Sequence, residues 1–478
     1  MARFHFGRRL SVRAATAVSA AALASALALG VGAKTVSPQP AAGQRIDNFM
    51  LADQTGMGHE LYYFRNAKAV VIVSHELGDP VSDKAAAALS AAKAKYAGQG
   101  VEFYLLNSSA KDTREQLAAA GLDVPVLDDR LQLVGRSLGV AETGEAFVVD
   151  PKTWTIAYHG PIDASFAEKK RSGGSLSAAL DAVLAGSKPA VTQAAVKGKA
   201  LSFPDRARMG EFEKISYVKD VAPILAENCV SCHTPGGLGP FAMDKYETVK
   251  GFAPMIRESL RTGRMPPFHA DSHGASWAND MRLTDNQKLT LVNWIEAGAP
   301  RGTGEDPLPS AIKPIPDWPL GQPDYIVDVP AFDVPASGVV DYQDWSVASK
   351  LTEGKWLKTT AWRAGARPVV HHALAGWIPE VRADGRGFSW NTSLGGYGPG
   401  GEENQTPKDT GIYIPAGGSF AYQMHYTPVG KPMRDATQVG YYFHKEEPKY
   451  ILRQISVTDF SLEIPAGKAR HHETAYLE

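Results

Sequence analysis

The chain has 478 residues, 50 Lys and Arg against 51 Asp and Glu, a net charge of −1 and 44% hydrophobic residues. Charges so evenly matched leave no electrostatic footprint for nucleic acid or for an acidic membrane surface, so neither partner is expected. Only two cysteines are present. If both serve a cofactor, no disulfide staples the fold, and each of the roughly three domains that this length allows must rest on its own apolar core.

Residues 1 to 33 read as an export signal. Arg3, Arg8, Arg9 and Arg13 make a basic start, Ala14 to Ala33 is an uncharged Ala/Leu/Val run, and Val31-Gly32-Ala33 offers small residues for cleavage. The run could span a bilayer, but alanine is weakly apolar, which favours cleavage over anchoring. A periplasmic or otherwise exported protein is expected, with no integral span beyond the signal.

Residues 40 to 188 alternate strand and helix signals. Ala69 to Val73 and Val101 to Leu106 are short apolar runs of buried-strand type, each followed by a helical stretch, Val81 to Tyr96 and Thr113 to Ala120. Ala146 to Val149 and Thr155 to Tyr158 form a hairpin pattern around Asp150-Pro151. Such alternation predicts an α/β layer. The apolar strand, the Asp79-Pro80-Val81 helix entry and the Glu145-Ala146-Phe147-Val148-Val149-Asp150-Pro151 segment resemble the thioredoxin-like redoxin family. That resemblance implies a reactive cysteine where this chain has Asp79, and a cis-proline where it has Gly144. A carboxylate cannot form a mixed disulfide, so the domain is expected to be redox-silent, a scaffold or docking module. His75 and Glu76 near the former active site read as loop residues rather than metal ligands.

Residues 189 to 211 are expected to be a linker and 212 to 303 an all-α domain. Cys229-Val230-Ser231-Cys232-His233 holds both cysteines. This is the spacing for covalent haem attachment, in which two thiols add to the haem vinyl groups and the adjacent His233 reaches the iron. The residues alone leave open a dithiol redox pair, a disulfide or half of a zinc site. Downstream, Arg264-Met265-Pro266-Pro267-Phe268 fixes Met265 in a proline-stiffened loop as the sixth iron ligand; Met243, Met255, Met281, His269 and His273 compete. Helices are expected over Tyr217 to Asn228 and Tyr246 to Arg261, and a last one starting at Thr284 and stopping at Gly298. The block resembles cytochrome c domains, with Trp294-Ile295-Glu296-Ala297-Gly298-Ala299-Pro300 similar to the closing helix of that family.

A proline-rich stretch, 304 to 323, reads as a semi-rigid linker. From Asp324 to Glu478, short alternating runs split by Gly and Pro predict an all-β sandwich. Within it, Val369-Val370-His371-His372-Ala373 and Phe420-Ala421-Tyr422-Gln423-Met424-His425-Tyr426 resemble the N-terminal half of copper type II, ascorbate-dependent monooxygenases. The resemblance implies one copper on His371, His372 and His425, and imidazoles suit copper. Neighbouring strand residues point to opposite faces, however, so His371 and His372 can share an ion only if the backbone bulges between them. Two unrelated histidines remain the bland alternative. His444, His471 and His472 are spare. The family carries its second copper on a His-x-His pair in a second β domain; no His-x-His occurs here, so the copper domain is expected to be incomplete and no catalytic residue is assigned.

These readings converge on a periplasmic electron-transfer or oxidoreductase protein related to copper monooxygenases. Covalent haem c would pass electrons to a three-histidine copper site, its own electrons coming from a redox partner protein or a small-molecule reductant. The alternatives are a non-catalytic electron-transfer cytochrome with docking modules and, last, a thiol oxidoreductase.

Overall fold

The computed structural model describes residues 42–478 apart from 168–174, 269, 271–274, 279, 387–392, 399, 402, 455–456, 458, 460, 469–470 and 477–478. The export signal and the competing ligands His269 and His273 therefore lie outside the described residues.

The first unit is built on five strands: β1 (Ala69–His75), β2 (Val101–Asn107), β3 (Val126–Asp128), β4 (Glu145–Asp150) and β5 (Thr155–Pro161), in the sheet order β3-β2-β1-β4-β5. β1 runs parallel to β2 and β2 to β3, while β4 and β5 are antiparallel additions. β1 is buried at all seven positions, which is why its sequence is a continuous apolar run rather than an alternating one. Helices α1 (Pro80–Lys95), α2 (Arg114–Ala119), α3 (Leu133–Leu138) and α4 (Leu176–Leu184) complete the unit. Asp79 caps α1 and Thr113 closes a reciprocal capping box with Gln116 on α2. This is the α/β layer expected from the strand and helix signals. The stretch expected to be a plain linker, 189 to 211, is laid back along it. Gly198 N–H donates to Glu142, Val196 bridges to Ala167, and Phe203 is buried in the core with Leu106 and Val134.

The second unit is helical. The single helix expected over 217–228 is a π-helical turn, Tyr217–Val221, running into α5 (Ala222–Asn228), and Pro223 stands at the start of the α-helical part. The helix expected over 246–261 is two, α6 (Tyr246–Gly251) and α7 (Ala253–Arg261), because Pro254 cannot donate back into the preceding turn. α8 (Asp285–Glu296) is capped by a Thr284–Gln287 box; Val292 and Trp294 are fully buried, and Leu289 and Ile295 pack at the margin of the core. The proline-rich stretch is not wholly extended. Asp306 accepts hydrogen bonds from Tyr217 Oη and the Tyr246 N–H, and Leu308 is buried in the helical core.

The third unit stacks two sheets. One holds β7 (Gln343–Ala348), β13 (Ser419–Tyr426), β9 (Val370–Ile378) and β10 (Ser393–Tyr397), adjacent in that order. The other runs β15 (Tyr450–Ile451), β12 (Thr410–Ile414), β8 (Lys355–Arg363), β14 (Gln438–Phe443) and β6 (Tyr325–Asp328), with β11 (Glu403–Gln405) also pairing β8. Trp362, Tyr397, Phe420, Tyr422 and Tyr441 fill the space between them. No helix among the described residues is long and apolar enough to cross a membrane.

Candidate functional site

The three histidines of the β unit meet on one face of one sheet. Tyr422, Met424 and Tyr426 on β13 point into the sandwich and are buried, which sends Gln423 and His425 to the opposite face. On β9 the pairing runs Val370 to Tyr426 and then His372 to His425, so His371 is one residue in excess. This bulge meets the geometric objection to a shared ion: it turns His371 and His372 toward the same side. His371 Nδ1 lies 3.1 Å from His425 Nδ1 and 3.2 Å from His372 Nδ1. Nitrogens bound about 2.0–2.1 Å from one tetrahedral ion stand about 3.3–3.4 Å apart, so the three donors already have nearly the separation a metal requires. Among the described residues they are the group of three or more His, Cys, Asp or Glu side chains close enough to hold an ion together.

The ring of Tyr342 stacks on His425 at 4.6 Å and tilts toward His372 at 5.8 Å, walling one side of the cluster. Burial, and then the neighbouring His425 and His371, hold His372 below the usual histidine range, which favours the neutral imidazole that binds metal. Before β13, Gly417 and Gly418 turn the chain at φ 68 and 66. A Cβ on Gly418 would meet the Ile378 carbonyl at 2.5 Å, so this turn, which sets the pairing of β13 with the end of β9, accepts no side chain. His444 is engaged elsewhere, sharing a hydrogen bond with the Thr410 carbonyl.

The Cys-x-x-Cys-His segment forms a tight turn at the end of α5. The Cys232 and His233 N–H groups both donate to the Cys229 carbonyl, at 3.2 and 2.9 Å. His233 is nearly buried, and its Nδ1 stands 3.0 Å from the Phe241 carbonyl. A carbonyl can only accept, so Nδ1 carries the proton and Nε2 keeps its lone pair for a metal. Gly239 passes directly beneath the ring. Burial pushes the Cys229 thiol up to about 12, with Cys232 adding to the shift, so a free thiolate here is disfavoured. Two thiols in one turn beside a histidine whose Nε2 lone pair is free make the donor set that a covalently tethered iron porphyrin would use. Of the competing methionines, Met243 is core, whereas Met265 is 42% exposed and belongs to no buried cluster, leaving its sulfur uncommitted. Met255 and Met281 are also exposed, on α7 and ahead of α8.

A cleft of about 530 Å³ joins the helical and β units. Pro235 and Gly236, just past His233, form one wall; Arg363 at the end of β8, with Gly365 and Arg367 on the approach to β9, form another. Sequence reasoning named the Cys-x-x-Cys-His turn and the three histidines but not this contact, which no local pattern encodes.

In the first unit, Asp79 occupies the helix N-terminus and accepts hydrogen bonds from the Ser82 N–H and Oγ. Burial alone would raise its carboxyl; hydrogen bonds from Thr143, Ser82 and Val81 outweigh it and hold the group ionised below the usual range. It is a helix cap, not a nucleophile. His75 is wholly buried on β1, and Glu76 is paired with Lys199.

Residues 42–165 match the AhpC/TSA family. Solved structures similar to the chain include a hypothetical protein from Sinorhizobium meliloti 1021 (27% identity, 34% of this chain and 94% of that one, TM-score 0.30). Peroxidoxin BcpB from Mycobacterium tuberculosis is 20% identical over 30% of this chain and 94% of its own, with TM-score 0.24. A thiol:disulfide interchange protein DsbE from Chlorobium tepidum is 20% identical over 25% and 84%, with TM-score 0.23. No curated protein matches. Residues 42–165, matched by the family model, lie in the first unit, whose five-stranded sheet and flanking helices make it a thioredoxin-like α/β redoxin domain.

Proposed function

We propose that the chain is an exported haem–copper electron-transfer protein, with haem c held by Cys229, Cys232, His233 and Met265 and copper held by His371, His372 and His425. The observation that carries this reading is the bulge at His371, which brings three imidazole nitrogens to ligand spacing on one face of the sheet. When bound, the two groups supply one-electron redox chemistry. The residues of the chain do the rest. Phe241 fixes the His233 tautomer, Tyr342 shields the copper ligands on one side, and the cleft at Pro235 and Arg367 places the exit of the haem turn beside the approach to β9. A redox partner protein or a small-molecule reductant supplies the electrons.

The redoxin domain suggests redox function of another kind, but thiol exchange needs a cysteine where Asp79 stands. The test is direct. Protein matured in a haem-ligating host should carry one covalent haem per chain, and reduced haem mixed with Cu(II) should be reoxidised in wild type and much more slowly in His425→Ala. A colourless protein, or equal rates in both, refutes the proposal.

A further inference from the structure

The redoxin unit grips the helical unit beside the Met265 loop. Arg261, in the last turn of α7, stands four residues before Met265, yet its side chain is only 1% exposed. Its Nη2 donates to Ser137 Oγ of α3 at 2.9 Å, and its Nη1 faces the Asp47 carboxylate at 3.8 Å. Arg257, one turn earlier, pairs with the same Asp47. Next, Gly263 turns at φ 66 against Met50, whose Cε would lie 3.1 Å from a Cβ at that position. Arg264 donates to Glu258 at 2.7 Å and approaches Glu60 at 3.9 Å. Farther from the loop, buried Arg136 of α3 donates to Glu296 at the end of α8 at 2.9 Å, and Leu133 enters the helical core.

Burying a guanidinium is costly unless its partners are held in place. Here the two groups that meet the Arg261 guanidinium directly, Ser137 Oγ and the Asp47 carboxylate, come from the redoxin unit, while Glu296 of α8 adds a more distant charge, and the loop that follows is seated against the Met50–Ala52 and Gly58–Glu60 strands of the redoxin unit. We propose that the redox-silent redoxin domain is a clamp on the loop that presents Met265, with Arg261, Ser137 and Asp47 as its positioning residues; this rests on the haem reading above. Its task on this reading is mechanical: it holds a weak thioether ligand in place.

The test uses the full-length, haem-loaded protein. Imidazole added to the ferric form competes with Met265 for the iron. Asp47→Asn combined with Ser137→Ala removes both redoxin partners of Arg261. It should raise the apparent imidazole affinity about tenfold, the scale of one charge-assisted hydrogen bond, and weaken the long-wavelength absorption of thioether-ligated ferric haem. Covalent haem content should stay unchanged. Asp47→Asn alone, at a half-exposed carboxylate, should give a smaller shift in the same direction and covers the case in which the double variant folds poorly. Leu131→Ala, which trims an apolar contact between the redoxin unit and the helical core and changes no charge near Arg261, should leave the affinity at the wild-type value. Wild-type affinity in both Asp47 variants, or an equal rise in Leu131→Ala, overturns the clamp. Wild type without covalent haem, or a Met265→Ala variant that binds imidazole no better, overturns the haem reading instead.

Discussion

Deleting one imidazole of the three-histidine cluster gives a test whose size follows from the structure. His425→Ala removes the nitrogen 3.1 Å from His371 Nδ1 and the residue paired with His372 across the bulge. With free copper about 100-fold above the wild-type Kd, binding stabilises the native state by about 2.7 kcal/mol. For a unit of this size each kcal/mol moves Tm by about 2–4 °C, so copper should raise the wild-type transition by about 5–10 °C. Loss of a direct ligand weakens binding by about a hundredfold, the upper end of what outer-shell changes cost. The same copper then contributes about 0.4 kcal/mol, or about 1 °C. His425 is only half-buried, so the metal-free variant should melt within about 2 °C of wild type. Scanning calorimetry with and without copper reads all four values. A variant that retains the full copper-dependent rise would refute the shared site.

Two further outcomes are expected. A Cβ at Gly239 would stand 2.5 Å from His233 Nδ1 and 2.7 Å from its Cγ, so Gly239→Ala should displace the ring, leaving haem attached through the thiols but shifting the ferric absorption spectrum toward the high-spin form; an unchanged spectrum would argue against His233 as iron ligand. His75 is held below the usual histidine range chiefly by burial, although Asp112, Asp83, Asp79 and Glu76 pull the other way. Below about pH 6.5 the unfolded chain binds a proton that the folded chain refuses, so stability rises with pH; wild type should lose up to about 1.4 kcal/mol between pH 7.5 and 5.5. Denaturant melts of His75→Gln should lack that increment, and an identical loss in both proteins would count against the assignment.

The sequence announces what is local. β1 and β2 are apolar runs, Thr284 and Gln287 form a capping box at the expected place, and Gly298 stops α8 at φ 88. Elements that cover less than two full periods are silent: β3 has three residues, and α3 has six, entered through Gln132 at φ 58 without a side-chain cap. The histidines could be named from their types, but their convergence was implied only by the family resemblance, because the bulge is a property of the pairing between β9 and β13 rather than of either strand. Arg261 sits on a helix whose charged positions read as a solvated face, and only the packed α3 makes it buried. The strap formed by 189 to 211 was hidden in the same way, since small and basic residues resemble a free connector until Phe203 finds a core.

β9 and β13 lie in the interior of their sheet, flanked by β7 and β10. The cradle they shape is therefore held by ladders on both sides and stands ready before any ion arrives. On the reading proposed above, loading an ion would not be a folding step: a metal could enter and leave the cradle without moving the backbone that shapes it.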